Sequence, residues 1–239
     1  MAEPVLAAIK WDETGEREFE TGVDHGVLYP VADNGTYPQG YGWNGLTSVS
    51  ESPEGGEPNA LYADNMKYLE LMSNEEWKGT IEAYMYPNEF EECDGSASPE
   101  TGVSFGQQAR KKFGLAYRTR KGNDVKGDAY GYKLHLVYGL MAAPSEKSYE
   151  TVNDSPDAIT FSWSVSSTPI PLTHADLKHM RPISTIVIDS TKADSTKLAA
   201  LEKILYGTDP VEEEGEDPVP GIAPRLPLPD EVYTLMKTA

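Results

Sequence analysis

The chain has 239 residues, a formal net charge of −19 and a pI of about 4.5. A molecule this acidic repels phosphate, which excludes a general nucleic-acid-binding role. Its single cysteine, Cys93, excludes an intramolecular disulfide and suits a chain made in a reducing cytoplasm. With no apolar run of about 18 residues and no signal-peptide pattern, we expect neither export nor contact with a membrane.

Strand patterns begin early in the chain. Residues 26–31 and 42–50 are rich in β-branched and aromatic residues and poor in helix formers. Two further strand candidates lie at 66–72 and 78–85 and are joined by a short polar segment, 73–76. We expect these two strands to form a hairpin with one solvated face.

A short helix is expected next, at 87–93, because Pro87 suits a first-turn position. Apolar residues then recur at every second position in three segments: 113–117, 132–138 and 159–165. The first two segments flank residues 121–128, which are rich in Gly, Asn and Asp, so they predict a hairpin with a longer loop. One more strand is expected at 183–189.

A second helix is expected at Ser195–Tyr206, where Leu198, Leu201 and Leu205 recur at helical spacing. Asp194 or Ser195 can cap its start, and Gly207 suits its end. Together these patterns predict a mainly β fold, a sandwich or barrel-like domain, with one or two flanking helices.

The C-terminal part has a different composition. An acidic run at 209–217 leads into a proline-rich stretch, so we place a β domain at 1–206 and an arm at 207–239. The arm carries more apolar residues than a solvated tail without contacts would: Leu226, Leu228, Val232, Tyr233 and Leu235. We expect the arm to pack on its own domain or on a neighbouring subunit, and we favour the neighbour.

Local catalytic motifs are absent, including phosphate-binding loops, nucleophile elbows and zinc-binding HExxH. His174, Asp176 and His179 lie close in sequence, but no further ligand is near, so a structural or surface role is favoured. Asp24 and His25 lie near two glycines, which favours a solvated turn over a catalytic relay. We therefore predict a protein that is not an enzyme and that has no catalytic, cofactor-binding or metal-binding residues.

Basic residues are concentrated at 110–133, where they alternate with aromatic residues. This interleaving is typical of base-stacking surfaces, but on an acidic molecule it also suits the acidic surface of an identical subunit. We favour self-association. The predicted contacts between subunits are Arg118 and Arg120, the arm residues above, and four residues of an acidic loop: Pro53, Glu54, Glu57 and Pro58.

The chain resembles the major tail tube proteins of siphophages that infect Gram-positive bacteria, over nearly its whole length. The resemblance rests on short blocks that are specific in combination: YGWNGL at 41–46, YADN at 62–65, KY at 67–68, SNEEW at 73–77, GTIE at 79–82, YP at 86–87 with Phe90, CDG at 93–95, FGL at 113–115, YRT at 117–119 and LHLVYG at 134–139. It implies a β-sandwich subunit of stacked hexameric rings in the virion tail, a hollow tube through which genomic DNA is ejected. The implied partners are the subunit itself, the tape measure protein, the tail terminator and DNA in transit without sequence-specific binding.

In such a tube, solvated strand faces would line the channel. The candidate lumen-facing residues are Thr80, Glu82, Thr160, Ser162 and Ser164, whose neutral or acidic groups would let DNA slide. Two other classes remain open. A β-sandwich virion or surface module could recognise a glycan or a protein, and a hydrolase could use paired carboxylates that meet only in the folded chain.

Overall fold

We analysed a computed structural model, which describes residues 8–152, 154, 157–210 and 220–237. Antiparallel strands dominate it, as the sequence predicts. In chain order the strands are β1 (Glu18–Pro30), β2 (Tyr41–Gly42), β3 (Leu46–Glu51), β4 (Pro58–Ala63), β5 (Met66–Met72), β6 (Lys78–Ala83), β7 (Ala97–Glu100), β8 (Val103–Phe105), β9 (Phe113–Asn123), β10 (Gly127–Ala142), β11 (Phe161–Ser167) and β12 (Thr185–Asp189). The predicted mainly β fold class with flanking helices is confirmed.

Eight of the strands form one sheet in the order β2-β1-β9-β10-β11-β6-β3, with β12 paired to β10 beside this path. Strand β10 serves two parts of the sheet. Its residues 133–137 pair with β12, whereas Leu140, Met141 and Ala142 pair with β11. The bend between them lies at Gly139, which has a positive φ of 63°. A glycine here lets a single strand cross from one half of the sheet to the other.

The main core lies where the sheet folds over on itself. Trp43, Phe90 and Trp163 meet at its centre, with ring centroids 4.7 Å apart for Trp43 and Phe90 and 5.0 Å apart for Phe90 and Trp163. They pack on buried residues of β6 and β11 from one half and of β9 and β10 from the other. Alternation along β6 and β11 therefore buries one face and leaves the other polar, as predicted.

Two α-helices cover the opposite face of the β1–β9–β10 half. Helix α1 (Ser195–Tyr206) has the predicted bounds, and the Asp194 carboxylate caps it by accepting the N–H groups of Thr196 and Lys197. Its three predicted leucines pack on β10, as expected. The helix expected at 87–93 is shorter, a 3-10 turn at Asn88–Phe90 that buries Phe90.

The hairpin predicted between 66–72 and 78–85 is wrong. Strand β5 pairs with β4 in a separate two-stranded sheet, and β6 pairs with β3 and β11. Buried Trp77 lies between β5 and β6 and anchors the chain in the main core, so the chain crosses from one sheet to the other at that point. The true partner of 66–72 is the segment just before it in sequence.

The C-terminal segment is folded onto the same domain. Helix α2 (Pro229–Met236) packs beside α1, and Leu226 and Val232 are buried in the helix-covered core. The preference for an arm that packs on a neighbouring subunit is therefore corrected for Leu226 and Val232, whose side chains are buried in their own domain. Leu228, Tyr233 and Leu235 are only partly buried, so a contact of these three residues with another subunit stays a prediction. Residues 211–219, which hold most of the acidic run, lie outside the described part of the chain.

Within the described residues, no helix is long and apolar enough to cross a membrane.

Candidate functional site

A projecting hairpin extends the β3–β6 ladder away from the main sheet. Beyond the last β3–β6 pair, Glu54 and Glu76 form an isolated antiparallel bridge, and β4 then pairs with β5. The turn at the tip is formed by Asp64 and Asn65, which have φ values of 50° and 62°. Two positive φ values in a two-residue turn match the twist of a hairpin. All but one of the residues in β4 and β5 are exposed.

The base of this hairpin is fixed to the main sheet by buried Tyr117. The Tyr117 hydroxyl donates a hydrogen bond to Glu51 at the end of β3 over 2.7 Å, and the Tyr117 ring stacks on His135 with centroids 4.6 Å apart. Burial lowers the pKa of His135, which favours a neutral imidazole in this stack. The projecting part therefore starts from a fixed point on the body.

The hairpin exposes an unusual amount of apolar surface. Leu61 lies opposite Leu69, and Leu71 is two residues further along the same face, so three leucines form one stripe. They are 41%, 37% and 55% exposed, respectively. The other large apolar residues exposed on the hairpin are Tyr62, Met66, Tyr68 and Met72. We call Leu61, Leu69 and Leu71 the leucine stripe.

The hairpin and its base are strongly acidic. Residues 52–77 carry six carboxylates and one lysine, a net charge of −5. The lysine, Lys67, pairs with Glu70 over 2.8 Å, and Lys78 at the start of β6 pairs with Glu54 over 2.5 Å. Of the predicted loop contacts, Pro53, Glu54, Glu57 and Pro58 all lie at this base and are exposed.

The predicted lumen-facing residues share one outer surface of the main sheet. Thr80 lies between Ser50 and Ser164 in one cross-strand row, and Glu82 lies between Ser48 and Ser162 in the next. The Ser48 hydroxyl donates to Glu82 over 2.9 Å. Thr160 immediately precedes β11 and is also exposed. The structure therefore brings Thr80, Glu82, Ser162 and Ser164 together in a polar face, with Thr160 beside it.

Arg118 and Arg120, predicted to contact another subunit, both bind Asp24 within the subunit. Their Nε atoms donate to its two carboxylate oxygens over 3.1 and 3.0 Å. Burial would raise the pKa of Asp24, but hydrogen bonds from Arg120, His25 and Arg118 outweigh it and hold the pKa below its usual value. The Arg118 side chain is only 18% exposed and lies over the Tyr132 ring, whereas the Arg120 side chain is 57% exposed. A contact of either arginine with another subunit stays a prediction.

Other members of the basic cluster are neutralised in the same way. Lys121 is buried and pairs with Glu18 over 2.8 Å and with Asp189 over 3.1 Å. Lys133 pairs with Glu20. Acidic β1 thus lies beside basic β9, and charges that are separated in sequence cancel across the ladder. Within the basic segment 110–133, Arg118, Lys121 and Lys133 are therefore paired inside the subunit, whereas Arg120 and Lys126 are exposed.

An apolar groove lies between β12 and α2, with a volume of about 470 Å³. Its walls come from β12, from α2 and from the connection that precedes β12. The residues that line it are Leu172, Leu177, Met180, Ile183, Ile186, Val187, Ile188, Asp189, Lys192, Ala193, Pro229, Val232, Tyr233 and Met236. We call this the β12–α2 groove. The sequence analysis did not identify it, although the helical spacing of Val232, Leu235 and Met236 is a signal for one of its walls.

The segment with His174, Asp176 and His179 lies beside this groove. The Asp176 carboxylate pairs with Lys237 over 2.5 Å, and the His174 ring packs edge-on against Tyr233, with centroids 5.1 Å apart. Over the described residues, no three His, Cys, Asp or Glu side chains converge as metal ligands would. His174 and Asp176 thus tie the connection before β12 to Tyr233 of helix α2 and to Lys237 just after it.

No family model matches this chain, and a search of curated proteins finds no match.

Proposed function

We propose that the chain is a self-assembling structural subunit, the major tail tube subunit of a long-tailed phage. The leucine stripe carries this proposal. A two-stranded hairpin is marginally stable alone in water, and exposed apolar patches of this kind mark interaction surfaces. A projecting hairpin that exposes three aligned leucines is thus best explained by a partner that covers them.

The open edges of the main sheet support assembly into a closed tube. At one end of the sheet β3 pairs only with β6, and at the other the short β2 leaves most of β1 unpaired on that side, among the described residues. Unpaired strand edges are templates for pairing with another chain. Edge-to-edge pairing of identical subunits would extend the sheet around a ring and leave no edge open.

In this proposal the polar face around Thr80 and Glu82 lines the channel. The rows of Thr80 and Glu82 hold serine and threonine hydroxyls and one carboxylate per subunit. Lys78 lies in the next row of the same face, opposite Ser166, and its ammonium group pairs with Glu54. A lining of this kind makes no multivalent ionic contact with phosphate, so DNA can pass without being held. The subunit would then reside in the virion tail, in rings that we propose to be hexameric, with the tape measure protein, the terminator and DNA in transit as partners.

A second candidate is a virion or surface binding module. It is favoured by Tyr62 and Tyr68, which are exposed near the tip of the hairpin, because exposed tyrosines are common in surfaces that recognise glycans and proteins. In that reading the chain stays monomeric and the hairpin binds a foreign ligand.

The two candidates differ in what the purified protein forms as its concentration rises. We expect negative-stain electron microscopy to show hollow rings or tubes for the wild type and dispersed particles for Leu69→Glu, which places a charge in the leucine stripe. Val125→Glu, at an exposed position in the β9–β10 turn, is the control and should assemble like the wild type. Wild-type monomers at every concentration would contradict assembly, and normal tubes from Leu69→Glu would show that the stripe plays no part in it.

A further inference from the structure

We propose that the β12–α2 groove receives the leucine stripe of a second copy of the chain. This inference rests on the proposed function and names the two surfaces that join successive subunits. The groove and the stripe are different parts of the molecule, and each leaves apolar side chains in solvent.

The chemistry of the two surfaces matches. Most of the groove is lined by aliphatic, methionine and proline side chains, together with Tyr233 and two charged residues, Asp189 and Lys192. Val187 and Met180, which line it, are 49% and 51% exposed. Its volume of about 470 Å³ lies within the range of sites that enclose apolar groups, roughly 300–1,000 Å³. Three aligned leucines are suitable occupants.

The backbone supports the same contact. Strand β12 pairs only with β10 in the described part of the chain, and the groove lining includes consecutive residues of β12, so the groove follows its open edge. Strands β4 and β5 each have one partner as well. A strand of the hairpin can therefore add to β12 by main-chain hydrogen bonds while alternate side chains enter the groove.

Charge favours a second copy as the occupant. Lys192 lines the groove, and Lys178 and Arg181 each follow a lining residue in sequence, Leu177 and Met180. All three cations are exposed, and none of them forms an ion pair with a described residue. Two carboxylates nearby are neutralised, since Asp176 pairs with Lys237 and Asp189 with Lys121. Asp194 and Asp230, which adjoin the lining in sequence, accept hydrogen bonds, among the described residues, only from backbone N–H groups and the Thr173 hydroxyl. The hairpin segment 52–77 carries a net charge of −5. Unpaired cations around the groove and excess carboxylates on the hairpin attract one another and steer the approach.

This contact is heterologous, because a surface of one copy meets a different surface of the next. Each bound copy still presents its own hairpin and its own groove, so the contact repeats and grows in one direction. A contact of this type suits the stacking of successive rings. Lateral contacts within a ring would use other surfaces, such as the open edges of β1 and β3.

The test combines one defect in each surface. Leu69→Glu damages the hairpin, Val187→Glu damages the groove at an exposed position, and Val125→Glu is the matched control for the second change. When either Leu69→Glu or Val187→Glu is tested alone, the critical concentration for tube growth should be about tenfold or more above that of the wild type. The reason is that the contact would then bury an unpaired charge. Circular dichroism and urea unfolding should show that all three variants fold like the wild type.

An equimolar mixture of the two damaged chains provides the decisive measurement. The mixture retains one intact hairpin and one intact groove, so sedimentation should show a complex of twice the mass of either variant alone that grows no further. No complex in the mixture, or wild-type tube growth by Val187→Glu, would overturn the inference. Lys192→Glu, a milder change, should weaken growth most at low salt, and no effect there would also count against it. Failure of the proposed function is distinct from these outcomes, since the wild type itself would then form no tubes.

Discussion

Leu226 packs directly on Gly114, so that a Cβ added to Gly114 would lie 2.5 Å from Leu226 Cδ2. The same stretch is tied down by hydrogen bonds. The Leu226 N–H donates to the Tyr37 carbonyl over 3.2 Å, and the Tyr138 hydroxyl donates to the Pro227 carbonyl over 3.0 Å. The C-terminal segment thus completes the helix-covered core, and its removal should affect folding before it affects assembly.

Deleting residues 220–239 should abolish the stable fold. Leu226 and Val232 are both about 2% exposed, and loss of each buried aliphatic side chain costs about 2–5 kcal/mol. The sum is comparable with the total stability of a domain, about 5–15 kcal/mol. We expect the truncated chain to lose its cooperative thermal transition by circular dichroism. A folded truncated monomer that merely fails to polymerise would contradict this and restore the hypothesis of an arm that reaches a neighbour.

A single substitution tests the same packing without removing the whole C-terminal segment. Leu226→Ala should lower the free energy of unfolding in urea by about 2–5 kcal/mol, because it leaves a cavity under α2. The control is Leu69→Ala on the exposed hairpin, which should change the free energy of unfolding of the monomer by no more than about 0.5 kcal/mol. Equal effects at the two positions would show that Leu226 is not part of the core.

Gly139→Ala should destabilise the bend in β10. A Cβ at this position would lie 2.4 Å from the Thr168 carbonyl oxygen, and the positive φ of 63° disfavours any other residue. A backbone held in such a region costs about 1–3 kcal/mol, before the clash is added. Gly106→Ala is the control, since its site has an ordinary φ and nothing within 4 Å. Urea unfolding of the two variants should differ by at least about 1 kcal/mol.

The sequence predicted the elements that a single periodicity determines. Strict alternation located β11, and the spacing of Leu198, Leu201 and Leu205 gave the bounds of α1. The same alternation put Thr80, Glu82, Ser162 and Ser164 on one polar face, because side-chain direction in a strand has a fixed period of two. Burial of the alternate residues in the main core confirms the pattern.

Partner choice was harder to predict, because periodicity does not say which strands pair. The signal for the β4–β5 hairpin was Asp64-Asn65, a dipeptide that tolerates two positive φ values, between two strand-like runs. Its flanking strands lack a buried face, so the usual alternation is weak there. Likewise, charge segregation along the chain did not show that β1 lies beside β9, which neutralises Arg118 and Lys121.

Asp189 gives the stability a defined dependence on pH. Burial would raise its pKa, but hydrogen bonds from the hydroxyl and N–H of Thr191 and from Lys121 lower it to about 2, from an ordinary value of 3.8. Because the folded-state pKa is the lower one, the stabilisation is complete above about pH 5 and is lost as the pH falls towards 2. Asp189→Asn should therefore cost about 2 kcal/mol at pH 7 and about 1 kcal/mol at pH 3. Asp128→Asn, an exposed control, should show no such change in urea unfolding at the two pH values.

Glu82 tests the proposed channel lining. Glu82→Lys changes the lining by two charges per subunit at a strand position that is not buried, so tubes should still assemble. A ring of lysines would release counterions from DNA phosphates and hold the duplex, with a retention that falls steeply as salt rises. We expect assembled Glu82→Lys tubes to retain linear duplex DNA at low salt, and virions with this change to eject their genome more slowly. Glu82→Gln removes the carboxylate without adding a cation and should retain no DNA. If Glu82→Lys tubes pass DNA as the wild type does, this face does not line the channel.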